Sequence, residues 1–237
     1  PATPPYPVKV ETRHAVLPSE VRFGNRRVPY DYGDAPDGGV AYPSTSVMGG
    51  FPTCGTGSVR HLRQLATSCF GPKADTELDG NGGLCPACFP PYDQYECFQD
   101  GDAGLIKPEP FTINAAGSVV PCQGGGGTPL AKVCETAVWG TNIDIQVDTG
   151  VLPQHHSRYV NVLIDWNQDG KWGGASSCPG GGTAPEHVLV NFPIPGWAYG
   201  PLSAFVPPDF RIGPNGGYVW ARFTISCETV AQNWDGS

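Results

Sequence analysis

The sequence predicts an all-β protein: an antiparallel β-sandwich with long, disulfide-stapled loops rich in glycine, proline and aspartate. Three observations lead there. Runs with strand character recur after residue 110, with turn residues between them. Glycine and proline, 33 and 26 of 237 residues, approach a low-complexity composition, yet 6 Trp, 9 Tyr and 10 Phe argue for a packed core. Nine cysteines point to an oxidising compartment and cross-linked loops.

Taken in order, residues 1–29 are proline-rich, then extended and mixed in charge, and read as an N-terminal arm or edge strand. Residues 30–237 read as one domain. Its first part, to residue 110, is dominated by glycine, proline, aspartate and cysteine and is expected to be loop-rich. Within it only residues 58–68 have helical spacing. Strands are expected over residues 111–114, 137–147, 159–165, 187–192 and 218–226. Alternation is clearest in Ile143-Asp144-Ile145-Gln146-Val147 and in Tyr218-Val219-Trp220-Ala221-Arg222-Phe223. The glycine runs at 124–127 and 180–182 are loops. Neither lies between a strand and a helix, so neither reads as a phosphate cradle.

Charge and cysteine content narrow the function classes. The net charge is −8, and the only basic cluster is Arg22, Arg26 and Arg27. Without a basic stripe to neutralise phosphates, nucleic acid is excluded as a partner. No apolar run approaches the length of a membrane span. The chain opens on Pro1-Ala2-Thr3-Pro4-Pro5, which reads as a processed N-terminus, and the expected location is secreted or at the extracellular cell surface. The odd cysteine count leaves one thiol over. Eight cysteines alone allow about 105 pairings, so connectivity stays open. Cys122 and Cys134 are favoured as a local pair around a glycine loop.

The strongest local signal is Asp165-x-Asn167-x-Asp169-Gly170, entered from an apolar run at 159–164. Oxygen side chains at positions one, three and five can point inward, the glycine takes the sharp turn, and Lys171 offers its backbone carbonyl. Those are the needs of a hard cation, and Ca2+ is the expected ion. Position twelve of an EF-hand count is Ser176, so the loop is not an EF-hand. Glu186, at the start of the next strand, can supply a further carboxylate. The competing reading is an Asx turn that caps the strand without metal.

Weaker candidates each carry two readings. Asp31, Asp34 and Asp37 read as cation ligands or as turn hydrogen bonding around Pro36. Asp75, Glu77 and Asp79 alternate, so they form either a cation site or a solvated acidic face. Cys85-Pro86-Ala87-Cys88 is followed by Phe89-Pro90-Pro91, which forbids the helix a redox motif opens, so structural disulfides are expected there. Zinc lacks a second ligand pair, since only Cys97 is near. His155 and His156 are adjacent and would face opposite sides of a strand. Trp166, Trp172, Trp197 and Trp220 are expected to anchor core and loops, with a sugar-stacking platform as the other option.

Several of these motifs also resemble a known family. Tyr30-Asp31-Tyr32-Gly33-Asp34-Ala35-Pro36-Asp37 resembles the opening signature of the GEVED domain of bacterial secreted and surface proteins. The acidic stretches at 70–80 and 100–105, the segment at 163–172 and the strand at 218–226 follow in that family's order. The resemblance covers most of residues 30–237. It implies a fold and a location more than an activity. In the family a Gly-Glu pair follows the Asp-Asn-Asp-Gly loop closely. Here residues 173–185 intervene and carry Cys178, which makes Glu186 the counterpart. A Cys178–Cys227 bridge would tie this inserted loop to the last strand. The closing Gly-Glu-Val-Glu-Asp motif is absent.

No catalytic constellation is present: there is no Gly-x-Ser-x-Gly elbow and no His-Glu-x-x-His. The expected function is therefore non-enzymatic. It is that of a secreted Ca2+-binding β-sandwich, acting as a structural or adhesive surface module. Strand addition by the arm would support self-association into a filament or binding to other surface proteins. Two alternatives are a carbohydrate-binding module, with a glycan partner met by exposed aromatics beside the calcium loop, and an extracellular hydrolase with two carboxylates in a cleft.

Overall fold

The computed structural model describes residues 21–22, 25–26, 30–33, 35–53, 60–62, 68–70, 104–108, 111–113, 119–121, 130–149 and 157–237. Its strands, in chain order, begin with β1 (Val21–Arg22), β2 (Asn25–Arg26), β3 (Tyr30–Tyr32), β4 (Asp37–Tyr42), β5 (Val47–Gly50), β6 (Arg60–Leu62), β7 (Cys69–Phe70), β8 (Leu105–Lys107), β9 (Phe111–Ile113) and β10 (Val119–Pro121). They continue with β11 (Thr136–Ala137), β12 (Asp144–Asp148), β13 (Arg158–Ile164), β14 (Ala175–Ser177), β15 (Thr183–Pro185), β16 (His187–Ile194), β17 (Tyr199–Pro201), β18 (Phe210–Arg211) and β19 (Ala221–Ser226). A 3-10 turn, Leu202–Phe205, follows β17. The protein is all-β, and its ladders are antiparallel.

Two layers share the main core. One is the sheet β16–β13–β19; the other centres on β12, flanked by β17 and β7 and joined by β8. Alternation does the sorting. Val160, Val162 and Ile164 of β13 turn to the core that Ile145 and Val147 of β12 fill from the other side, with Leu189, Ile194, Leu202 and Trp166 between. Each of these aliphatic side chains contributes about 1.5–3 kcal/mol by leaving water. On the other face of β13, Leu163 meets a second cluster of Ala35, Ala41, Tyr42, Phe51 and Trp172. The β4–β5 hairpin therefore packs on the outside of the β13 sheet.

Beside that cluster the outer face is polar and is covered by the end of the chain. Asn161 is fully buried, and its Oδ1 accepts the Asn191 N–H at 2.7 Å beside a register shift in β16. Asn191 in turn pairs with both backbone groups of Val230 at 2.8 Å. Arg222 donates to the Gly236 carbonyl at 2.8 Å and lies over the Trp234 ring. His187 sits between the Asn161 Oδ1 and the Gln232 carbonyl.

Three expectations are corrected. Residues 137–147 are not one strand. Gly140, at φ 79°, opens a turn closed by the Val138 N–H on Asn142 Oδ1, and pairing resumes at Asp144. Residues 60–62 form a strand against β3, within the segment that has helical spacing. Three residues of ladder decide against a helix too short to be stable alone. In the described part of residues 1–29, β1 pairs with β2.

The third correction concerns the bridges. Cys134 pairs with Cys178, not with Cys122, and Cys227 is a free, exposed thiol. Register explains it. Cys227 follows β19 at the end that pairs with Tyr159, whereas Cys178 lies beyond the Ile164 end. Five residues of extended chain separate the two ends of that ladder, roughly 17 Å. Cys134 is instead brought in by β11, whose Thr136 pairs with Arg211 of β18. The Arg211 guanidinium then donates to the carbonyls of both Cys134 and Gly181, at 3.2 and 3.3 Å, and clamps the bridged loops together.

The bridge closes a separation of 44 residues, for which loop-closure entropy gives about 4 kcal/mol. Replacing Cys134 and Cys178 together by alanine should lower the unfolding free energy by about that amount in a denaturant titration. Peptide mapping without reduction should return a Cys134–Cys178 cross-link and no Cys178–Cys227 cross-link.

Candidate metal centre

β13 ends by driving its chain into the Asp165 loop. Asp165 is fully buried; its N–H donates to the Trp220 carbonyl at 3.0 Å. Its carboxylate organises the turn: Oδ1 accepts the Asp169 N–H at 3.2 Å, and Oδ2 accepts the Gly170 N–H at 2.9 Å and the Tyr42 hydroxyl at 3.0 Å. Asn167 Oδ1 also accepts the Asp169 N–H, at 2.8 Å, and its amide donates to Asp169 Oδ2 at 3.0 Å. Asp169 Oδ1 accepts the Lys171 N–H. These are nested Asx turns, which satisfy the loop's backbone donors from its own side chains.

The neighbouring segment clamps the loop from outside. Asn215 donates to the carbonyls of Trp166 and Asn167, both at 3.0 Å. Gln168, at φ 58°, donates to the carbonyls of Gly216 and Tyr218. Trp166 is buried and donates through its indole to the Pro185 carbonyl. Gly170, at φ 82°, has two reasons to be glycine. The backbone lies in the left-handed region, and a Cβ there would stand 2.3 Å from the Met48 carbonyl oxygen of the β4–β5 hairpin.

Glu186 is the residue that the turn network does not explain. It is fully buried; Oε1 accepts the Asn167 N–H at 3.3 Å, but Oε2 is buried with no hydrogen-bond partner. Burial pushes its carboxyl up to about 7, and the charges of Asp165 and Asp169 push the same way, against the N–H groups of Asn167 and Gly173. Burial also raises the Asp165 carboxyl, against the bonds from Gly170 and Tyr42. No Lys or Arg pairs with Glu186 among the described residues. A buried carboxylate with a bare oxygen beside two further acids is electrostatically incomplete.

The sequence-derived ligand set thus divides. Asp165, Asn167 and Asp169 are joined in one loop, and Glu186 reaches that loop through Asn167. Asp169 is exposed, and Lys171 contacts the set through its N–H on Asp169. Among the described residues no group of three or more His, Cys, Asp or Glu side chains stands ready to hold a metal. The fit to a cation therefore rests on the orphaned Oε2 of Glu186 and on an all-oxygen donor set.

Of the other candidates, Asp37 lies half-buried in β4 and Asp31 lies in β3. Asp34, Asp75, Glu77, Asp79, Cys85, Cys88, Cys97, Cys122, His155 and His156 fall outside the described residues. Trp166 and Trp172 are core residues. Among the described residues the exposed aromatics are Trp197, 67 % exposed, and Tyr199, 77 % exposed. Both follow Ile194, which pairs with Arg158 at the start of β13, so they sit at the opposite end of the sheet from the loop. Sequence reasoning missed Tyr42, whose only signal is a tyrosine in a strand of mostly small residues. No family model, curated protein or solved structure matches the chain.

A carboxyl with its folded pKa raised binds its proton more tightly in the native state. Without divalent ions, the Glu186 contribution therefore falls as pH rises from about 4.5 to about 7. Burial lowers His187, which gives the opposite slope below its ordinary pKa, so the wild type alone does not isolate Glu186. The difference between Glu186→Gln and wild type does. The variant should gain on the wild type by roughly 1–3 kcal/mol between pH 4 and pH 8 in chelated buffer. Equal pH profiles in urea titrations would contradict the burial argument.

Proposed function

We propose that the chain is a non-catalytic, Ca2+-binding β-sandwich of the GEVED kind, working as a structural or adhesive module on a bacterial surface or in the medium. One observation carries this reading: the bare, buried Oε2 of Glu186 beside Asp165 and Asp169. Asp165, Asn167, Asp169 and Glu186 would hold the ion through side-chain oxygens, and Lys171 through its carbonyl. A bound Ca2+ supplies the positive charge that these acids lack. The protein's own part is to fix the loop, through Asn215, Gln168 and the Asx turns, and to keep water from Glu186. The Cys134–Cys178 bridge supports an oxidising location, and no described helix is long and apolar enough to cross a membrane. Rigid loops between cross-linked strands suit a module that bears load or presents a surface.

A glycan-binding reading draws on Trp197 and Tyr199, which are displayed where the Thr149 hydroxyl pins the turn by donating to the Pro195 carbonyl at 3.1 Å. Chemical-shift changes confined to those two rings on adding an oligosaccharide library would favour it.

Calcium at about 1,000 times its Kd should stabilise the protein by about 4 kcal/mol, seen as a rise in Tm that chelator reverses. Asp165→Asn should abolish the rise. The gain should be large at pH 8 and small at pH 5, where Glu186 is protonated. An unchanged Tm at pH 8 across chelator and excess Ca2+ would remove the calcium reading.

A further inference from the structure

Tyr42 lies 123 residues before Asp165 in the chain and is buried, yet its hydroxyl closes a ring of hydrogen bonds with the loop. It donates to Asp165 Oδ2 at 3.0 Å and accepts the Trp220 N–H at 3.2 Å, while the Trp220 carbonyl accepts the Asp165 N–H at 3.0 Å. The same strand is tied down beside it. Tyr218 and Trp220 both donate to the Ala41 carbonyl, at 3.1 and 2.9 Å, and the Tyr42 and Tyr218 rings stack at 5.3 Å.

The hairpin meets the loop a second time. The Gly50 N–H donates to the Gly170 carbonyl at 2.7 Å, and Phe51 packs on Trp172, with ring centroids 4.2 Å apart. Asp165 is thus held from two sides: by its own loop through Gly170, and by the β4–β5 hairpin through Tyr42. A carboxylate that must turn an oxygen to an ion depends on the donor that fixes its other oxygen.

We propose that Tyr42 is the positioning residue of the Asp165 ion site, so that ion binding and docking of the β4–β5 hairpin are one coupled equilibrium. This rests on the calcium reading above. Coupling is reciprocal: an ion that holds Asp165 in place tightens the hairpin, and a docked hairpin raises ion affinity. Core packing alone is a different role, and Tyr42→Phe separates the two. It keeps the ring against Tyr218 and removes only the hydroxyl.

The experiment uses the full chain with Ca2+ and Tb3+ as probes. Calorimetry reads Ca2+ affinity, luminescence sensitised by Trp166 and Trp172 reads Tb3+ and its bound waters, and amide exchange reads the hairpin. In the wild type, Ca2+ should slow exchange at residues 37–50 while leaving Val160 and Val162 of β13 unchanged. Tyr42→Phe should weaken Ca2+ roughly tenfold or more, shorten the Tb3+ lifetime, and remove the Ca2+ response of the hairpin. Wild-type affinity and lifetime in Tyr42→Phe would overturn the proposal while leaving the calcium site standing. So would a wild-type hairpin whose exchange ignores Ca2+, which decides the matter even where the variant fails to fold. A wild type that binds neither ion overturns the site and the coupling together.

Discussion

Two carboxylates, Asp165 and Glu186, are carried out of water at the end of β13, and much of the surrounding structure answers that burial. Asp165 is served by two backbone N–H groups and a tyrosine hydroxyl. Glu186 is served on one oxygen only. An unpaired buried charge costs several kcal/mol, and a protein meets that cost by protonation or by a counter-ion. Near neutral pH Glu186 stands between those two answers.

The fold makes this burial unavoidable. β13 is the central strand of its sheet, with β16 and β19 on its sides, so the residue after it is flanked by both neighbours. Ile164 donates its N–H to the Glu186 carbonyl, which fixes the start of β16 against the end of β13. The β4–β5 hairpin covers the remaining side through Tyr42 and the close approach of Met48 to Gly170. The bridged loops at Cys134 and Cys178 hold the β14–β15 hairpin that leads back to Glu186.

What sequence revealed depended on the range of the interaction. The Asp165, Asn167, Asp169 and Gly170 pattern is local, and its side chains do gather around one turn, because one-three-five spacing needs no tertiary information. The all-β class followed from alternation in segments such as 143–147 and 218–223, where successive side chains face opposite ways. The break at Gly140 was legible in Gly-Thr-Asn but was outweighed by flanking apolar residues. At residues 60–62 helical spacing lost to pairing with β3, which lies some thirty residues away. Cysteine pairing was beyond reach, since it depends on the β11–β18 register and the Arg211 clamp. Tyr42 was beyond reach for the same reason, being placed by packing on Trp220 and Leu163.

Whatever lies against Glu186 Oε2 decides whether this loop is a calcium site. The most direct measurement is a crystal structure grown at pH 8 in Ca2+, with anomalous data to locate the ion. A Ca2+ peak with oxygens of Asp165 and Glu186 within about 2.3–2.6 Å is expected. An ordered loop with no ion, and a water or a protein donor on Oε2 instead, would contradict it.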